Sequence, residues 1–132
     1  MKHTLIRAAV LDALESRIDG KIAFFDGRPA VFEEDEFPAV AVYITDAQST
    51  SDYLDEDSWS ATLHIEVFLA AQVPDSELDS WMESKVYPVL SDVPALEALV
   101  EKIVPQGYDY QRDDDAAAWS SADMKYSLTY YM

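Results

Sequence analysis

Residues 59–70 read WSATLHIEVFLA, and their regular alternation decides the fold. Apolar side chains occupy every second position: Trp59, Ala61, Leu63, Ile65, Val67 and Leu69. A period of two is that of a β-strand with one face against a core. The intervening positions are mixed: Ser60, Thr62, His64, Glu66 and Phe68. We therefore predict a strand with one core face and one mixed face.

Two other long segments also predict strands. Residues 38–44 form a continuous apolar run with β-branched side chains, which is typical of a strand buried on both faces. Residues 119–132 alternate again, with one apolar face made of Ala122, Met124, Tyr126, Leu128 and Tyr130. Shorter extended pieces are expected at 23–25, 31–32 and 108–110.

Three segments predict helices. Residues 4–18 place Ile6, Val10 and Leu14 at every fourth position, and Asp19-Gly20 supplies a stop. A second helix is expected to begin at Pro74-Asp75-Ser76-Glu77 and to bend or end at Pro88. A third is expected to span 92–103, closed by Pro105 and Gly107.

This order of elements indicates an α+β fold. Because the strands cluster as neighbours in the chain, we expect a small antiparallel or mixed β-sheet covered by about three helices. The length of 132 residues fits a single domain, residues 1–132. Residues 46–58 are polar and acidic, so we expect a mobile acidic loop there.

Composition excludes several classes of function. The net charge of −17 argues against binding nucleic acid or anionic membranes, because both depend on Lys and Arg. No cysteine is present, which excludes disulfides and thiolate chemistry. No run approaches the ~20 apolar residues of a membrane span, and no signal peptide is visible. We expect a soluble protein that remains where it is made.

The sequence contains no strong catalytic motif. His64 and Glu66 share one strand face, as a base and its orienting carboxylate would, but a mixed strand face is the better interpretation. The runs Asp113-Asp114-Asp115 and Glu33–Glu36 are rich in the oxygens that Mg²⁺ prefers. They lack the spacing of a designed site, so we expect no firm metal site and at most a weak Mg²⁺ effect at Asp113–Asp115.

Several segments together resemble a known family. In chain order they are RAAVLDALE (7–15), FFDGRPAVF (24–32), FPAVAVY (37–43), LHIEVFL (63–69), AQVPDSELD (71–79), GYDY (107–110), RDDD (112–115) and WSSAD (119–123). This order over the whole chain resembles the minor tail protein U family, the tail terminators of lambda-like long-tailed bacteriophages.

The resemblance implies a structural role without catalysis or cofactor. Such proteins form a homohexameric ring on the head-proximal end of the tail tube, stop polymerisation of the major tail tube protein, and provide the surface for head-tail joining. The implied partners are other copies of the chain, the major tail tube protein and a head-completion (connector) protein. DNA would pass through the channel without specific binding. The implied location is the virion tail, assembled in the host cytoplasm.

We predict subunit or tube contacts in three places. They are the 46–58 loop, the turn after the first short strand, and the acidic turn before the last strand. The residues proposed for these contacts are Tyr53, Asp55, Phe25, Asp26, Arg28, Arg112, Asp113, Asp114 and Asp115. Arg28 and Arg112 either pair with carboxylates of the next subunit or form local ion pairs.

Two other functions stay open at this point. The chain could be an acidic regulator that mimics DNA, in which case it would bind basic proteins and DNA would compete. It could instead be a carboxylate-dependent metal hydrolase built from Asp113–Asp115, Glu66 and His64, which would bind a divalent metal tightly.

Overall fold

The fold is known from a computed structural model that describes residues 1–50 and 57–132. Its elements, in chain order, are α1 (Lys2–Arg17), β1 (Ala23–Asp26), a 3₁₀ turn (Glu34–Glu36), β2 (Ala39–Ser49), β3 (Ser58–Ala70), α2 (Asp75–Ser80), a π-helical segment (Trp81–Val86), α3 (Tyr87–Leu90), α4 (Pro94–Glu97), β4 (Lys102–Arg112) and β5 (Trp119–Tyr131). The predicted α+β class is confirmed.

The five strands form one mixed sheet in the order β1-β2-β3-β5-β4. Only β1 and β2 are parallel to each other, and every other neighbouring pair is antiparallel. β3, whose alternation predicted the fold, lies at the centre and pairs with β5 without interruption from Ser58 opposite Tyr131 to Ala70 opposite Trp119. The two edges of the sheet differ, because β1 has 4 residues and β4 has 11.

All helices pack on one face of the sheet, where they close the main core. The predicted core face of β3 is confirmed, since Leu63, Ile65 and Val67 are fully buried there. Ile6 and Val10 of α1 are buried in the same cluster. We call the opposite side of the sheet the open face. It carries a smaller apolar cluster made of Ala39, Ala41 and Phe68, with Phe25, Phe32, Phe37 and Trp119 packed against it.

The second predicted helix forms, but Pro88 does not end it. α2, the π-helical segment and α3 follow one another without a break from Asp75 to Leu90. Pro88 has no N–H to donate, so a regular α-helical bond cannot form there. The turn before it is widened to the π pattern, a local adjustment known from helix interiors, and the helix continues for one more turn.

The third predicted helix is largely wrong. Only Pro94–Glu97 is helical, and β4 begins at Lys102. The spacing of Leu96, Leu99 and Ile103 imitates a helix, but pairing with β5 dominates locally and places Ile103 against the core from a strand. Pro105 and Gly107 lie at a β-bulge inside β4, which an edge strand tolerates.

The two ends of the loop expected at 46–58 belong to strands. Residues 46–49 continue β2 and Ser58 starts β3, with a bulge between Thr45 and Gln48 where Asp46 adopts φ +57°. Residues 51–56, with Tyr53 and Asp55, lie outside the described residues, and the mobility of this loop stays a prediction. Residues 31–32 form no strand, because Phe32 packs its ring into the open face instead. No helix among the described residues is long and apolar enough to cross a membrane.

Candidate functional site

The open face holds a buried carboxylate, and both of its oxygens accept hydrogen bonds. Glu66 of β3 is 0% exposed. Its Oε1 accepts from Arg28 Nε at 3.0 Å and from the Tyr43 hydroxyl at 2.7 Å, and its Oε2 accepts from Ser121 Oγ at 2.6 Å. This one side chain therefore joins β2, β3 and β5 to the loop that follows β1.

The partners of Glu66 keep their protons. Burial alone would lower the pKa of Arg28, but the adjacent Glu66 carboxylate outweighs it and raises the pKa above its usual range. Burial, followed by the hydrogen bond to Glu66, strongly raises the pKa of Tyr43. Arg28 thus stays a cation and Tyr43 stays a hydroxyl donor in the neutral pH range.

A second part of the network runs from the interior to the surface. His64 Nδ1 lies 2.8 Å from Asp123 Oδ2, and His64 Nε2 lies 2.6 Å from Thr45 Oγ1. Thr45 Oγ1 also donates to Asp46 Oδ2 at 3.1 Å. The Tyr43 ring stacks on the imidazole with centroids 4.5 Å apart. These contacts fix His64 between β2 and β5, so its environment is that of a strand-bridging group.

The hydrolase alternative loses its proposed site. His64 is oriented by Asp123 and not by Glu66, which is bound to Arg28, Tyr43 and Ser121. Within residues 1–50 and 57–132, no group of three His, Cys, Asp or Glu side chains is placed to hold a metal. The sequence does not indicate Asp123 and Thr45 as partners of His64, because only the strand register shows which side chains contact it.

The acidic turn before β5 is stabilised by hydrogen bonds to the side chain of Asp113. Asp113 accepts hydrogen bonds from the backbone N–H groups of Asp115, Ala116 and Ala118, at 2.9–3.2 Å. These bonds, that of Ala118 first, lower the pKa of Asp113. Both carboxylate oxygens accept hydrogen bonds within the turn, and the expected weak Mg²⁺ effect at Asp113–Asp115 stays a prediction.

Replacing Asp113 with alanine is expected to open this turn. The pKa of Asp113 in the folded chain lies below its ordinary value. The carboxylate therefore stabilises the turn fully at pH values above the ordinary pKa, and this stabilisation is lost as the pH falls through the folded pKa. We expect weaker protection of the amides of Ala116 and Ala118 against hydrogen exchange, measured relative to an unstructured peptide at the same pH, and the same loss of protection in the unmodified chain in acid. Asp114→Ala is the matched control, and equal loss of protection in both variants would contradict the assignment.

The other residues predicted as contacts have partners within their own chain. Arg28 pairs with Glu66, and Arg112 pairs with Asp75 and with the carbonyl of Ala71. In the single chain, both arginines therefore form local ion pairs, which is one of the two alternatives predicted from the sequence.

Phe25 packs edge-on against Phe32 with centroids 5.9 Å apart, and Asp26 pairs with Arg7. Asp114 and Asp115 are exposed in the acidic turn. Subunit contacts at all of these positions remain predictions.

Comparisons with known proteins agree with the resemblance over the whole chain. The family model described as phage minor tail protein U matches residues 1–130. A tail tube terminator protein of Escherichia phage N15 is 67% identical over 132 residues, and one of Escherichia phage lambda is 66% identical over 132 residues; both alignments cover 100% of each chain.

A solved chain described as "Virion of native gene transfer agent (GTA) particle" superposes with a TM-score of 0.50 at 14% identity, covering 98% of this chain and 96% of that one. At that identity the likeness concerns the fold alone. The family rests instead on the full-length match and on the two close relatives. This chain belongs to the phage minor tail protein U family.

Proposed function

We propose that this chain is a structural tail tube terminator. It caps the head-proximal end of a phage tail tube, stops polymerisation of the tube protein and presents the surface to which the head is joined. The observation that carries the proposal is the 67% and 66% identity to two tail tube terminator proteins over all 132 residues. Its place is the virion tail, after assembly in the host cytoplasm.

The working form is a closed ring of six copies. A ring needs two different patches on each subunit, one for each neighbour. The two edges of the sheet are unequal, since β1 has 4 residues and β4 has 11. The helix-covered face also differs from the open face. Both differences support a head-to-tail contact. The partners are other copies, the major tail tube protein and a head-completion protein.

The charge of the chain supports passage of DNA without specific binding. Four of its nine Lys and Arg residues pair with carboxylates among the described residues: Arg7, Arg28, Arg112 and Lys125. The remaining cations face a large excess of acidic groups, so few phosphate contacts could form. The same excess makes six copies repel one another, which added cations would screen.

The ring and its role can be tested with the purified chain and the tube protein. Light scattering after gel filtration should show a shift from one chain of 14.9 kDa to six when Mg²⁺ is added or when tube ends are present. Electron microscopy should then show a ring with a central hole, and adding the chain to growing tubes should fix their length. Tubes that continue to grow in its presence would contradict the proposed function, and NaCl at matched ionic strength separates screening from a Mg²⁺ site.

A further inference from the structure

A largely apolar groove lies between α3 and the edge strand β4. It consists of two cavities of about 270 and 210 Å³ that share Tyr87 and Pro105 in their walls. Tyr126 lines the first cavity and Met124 the second, both from β5. Tyr87 is 43% exposed although it is large and aromatic. This surface, called here the β4 groove, is open to an apolar insert from outside the chain.

The wall of the groove contains a polar atom without a partner. Tyr126 is 4% exposed, and its buried hydroxyl has no hydrogen-bond partner among the described residues. Burial raises the pKa of Tyr126, so the hydroxyl stays protonated and can donate. Buried hydroxyls are normally satisfied. Because this hydroxyl has almost no contact with solvent, an acceptor on an insert, such as a backbone carbonyl, would reach it only through a shift of the groove wall, whereas an apolar side chain needs no such shift.

The chain exposes an insert of this kind on the loop after β1. Val31 is 80% exposed, and Pro29 and Ala30 precede it, so the tip is apolar and offers backbone carbonyls. The loop is held on both sides of the tip. Arg28 is bonded to Glu66, and the Phe32 ring lies 4.4 Å from that of Phe68. The tip is thus presented in a fixed position, which reduces the entropy cost of binding.

The tip and the groove lie on opposite faces of the sheet. Arg28 and Phe32 place the tip over the open face, whereas Tyr87 and Tyr126 belong to the helix-covered face. One chain therefore cannot fill its own groove, and each copy that binds a neighbour keeps the second surface free. Contacts of this head-to-tail type close into rings when the rotation between neighbours closes, as the proposed ring requires.

We propose that the Val31 tip of one copy inserts into the β4 groove of the next copy. The inference rests on the proposed ring and names the surfaces that close it. A chain of net charge −17 repels its copies, so they associate best through surfaces that are largely apolar, as the tip and most of the groove wall are. Acidic residues lie at both surfaces, Glu33 beside the tip and Glu83 and Glu97 in the walls of the groove. Screening by cations should therefore strengthen this contact.

Two single variants and their mixture test the contact. Val31→Asp removes the tip but keeps the groove, and Tyr87→Asp blocks the groove but keeps the tip. Each alone should stay monomeric under conditions in which the unmodified chain forms rings. Mixed in equal amounts, they should form a complex of two chains that grows no further, measured by analytical ultracentrifugation. Leu5→Asp, at a position 51% exposed on α1, is the control that should still form rings.

Because the chain has no cysteine, a disulfide trap gives a second test. The double variant Val31→Cys with Tyr87→Cys should give, on oxidation, crosslinked species of up to six chains, while Leu5→Cys with Tyr87→Cys should give none. Full assembly of either aspartate variant, or absence of crosslinks in rings of the cysteine variant, would overturn the inference and leave the ring itself intact. Failure of the unmodified chain to form rings even on tube ends would instead count against the proposed function.

Discussion

Replacing Glu66 with alanine is expected to lower the free energy of unfolding by about 2–6 kcal/mol, because two hydroxyl donors lose their acceptor at a cost of roughly 1–3 kcal/mol each. Glu66 is fully buried and accepts hydrogen bonds from Arg28, Tyr43 and Ser121. Without it, the hydroxyls of Tyr43 and Ser121 lose their acceptor inside the sheet, and Arg28 loses its partner. Urea unfolding followed by circular dichroism measures the loss directly.

Two further variants isolate the cause. Glu66→Gln keeps the shape and one acceptor oxygen, so its cost should fall between those of the native chain and the alanine variant. Glu15→Ala removes an exposed carboxylate from α1 and should change stability by no more than about 0.5 kcal/mol. A cost for Glu66→Ala as small as that for Glu15→Ala would mean that the network does not stabilise the sheet.

The sequence predicts the parts of the fold that depend on local periodicity. The alternation of β3 and β5 gives the correct core faces because one face of each strand is apolar along its length, and α1 follows from its regular apolar spacing. The segment 92–103 misleads for the same reason, since an apolar spacing typical of a helix also occurs by chance in an edge strand. Pairing with β5, a contact made far along the chain, decides its structure.

The site is harder to predict, because its residues are brought into contact only by the register in which the strands pair. His64 and Asp123 are 59 positions apart, and each falls on a mixed strand face that the alternation identifies. Nothing in the pattern says that His64 lies next to Asp123 and Thr45 while Glu66 bonds to Arg28, Tyr43 and Ser121. The β4 groove is the same kind of feature, since Tyr87, Pro105 and Tyr126 come from three elements. The family resemblance indicates what the chain does, but not which of its surfaces do it.

Replacing Phe68 with alanine is expected to lower the free energy of unfolding by about 3–5 kcal/mol and also to weaken ring formation. Phe68 is fully buried in the open face, against Phe32 at 4.4 Å and Trp119 at 5.1 Å, and Arg28 lies over its ring. Its loss leaves a cavity and also removes the support of the loop that presents Val31. Both effects can be measured on one preparation, by urea unfolding and by light scattering under ring-forming conditions.

Leu63→Ala separates the two effects. Leu63 lies on the core face of the same strand and is also fully buried, so its loss should cost a similar 2–5 kcal/mol. It does not contribute to the apolar cluster under the Val31 loop, and chains that remain folded should still form rings. Phe32→Ala should show the reverse, with a smaller loss of stability because Phe32 is only partly buried, but with weakened assembly. If Leu63→Ala and Phe68→Ala reduce ring formation equally at matched folded fractions, the open-face cluster supports the fold and not the contact.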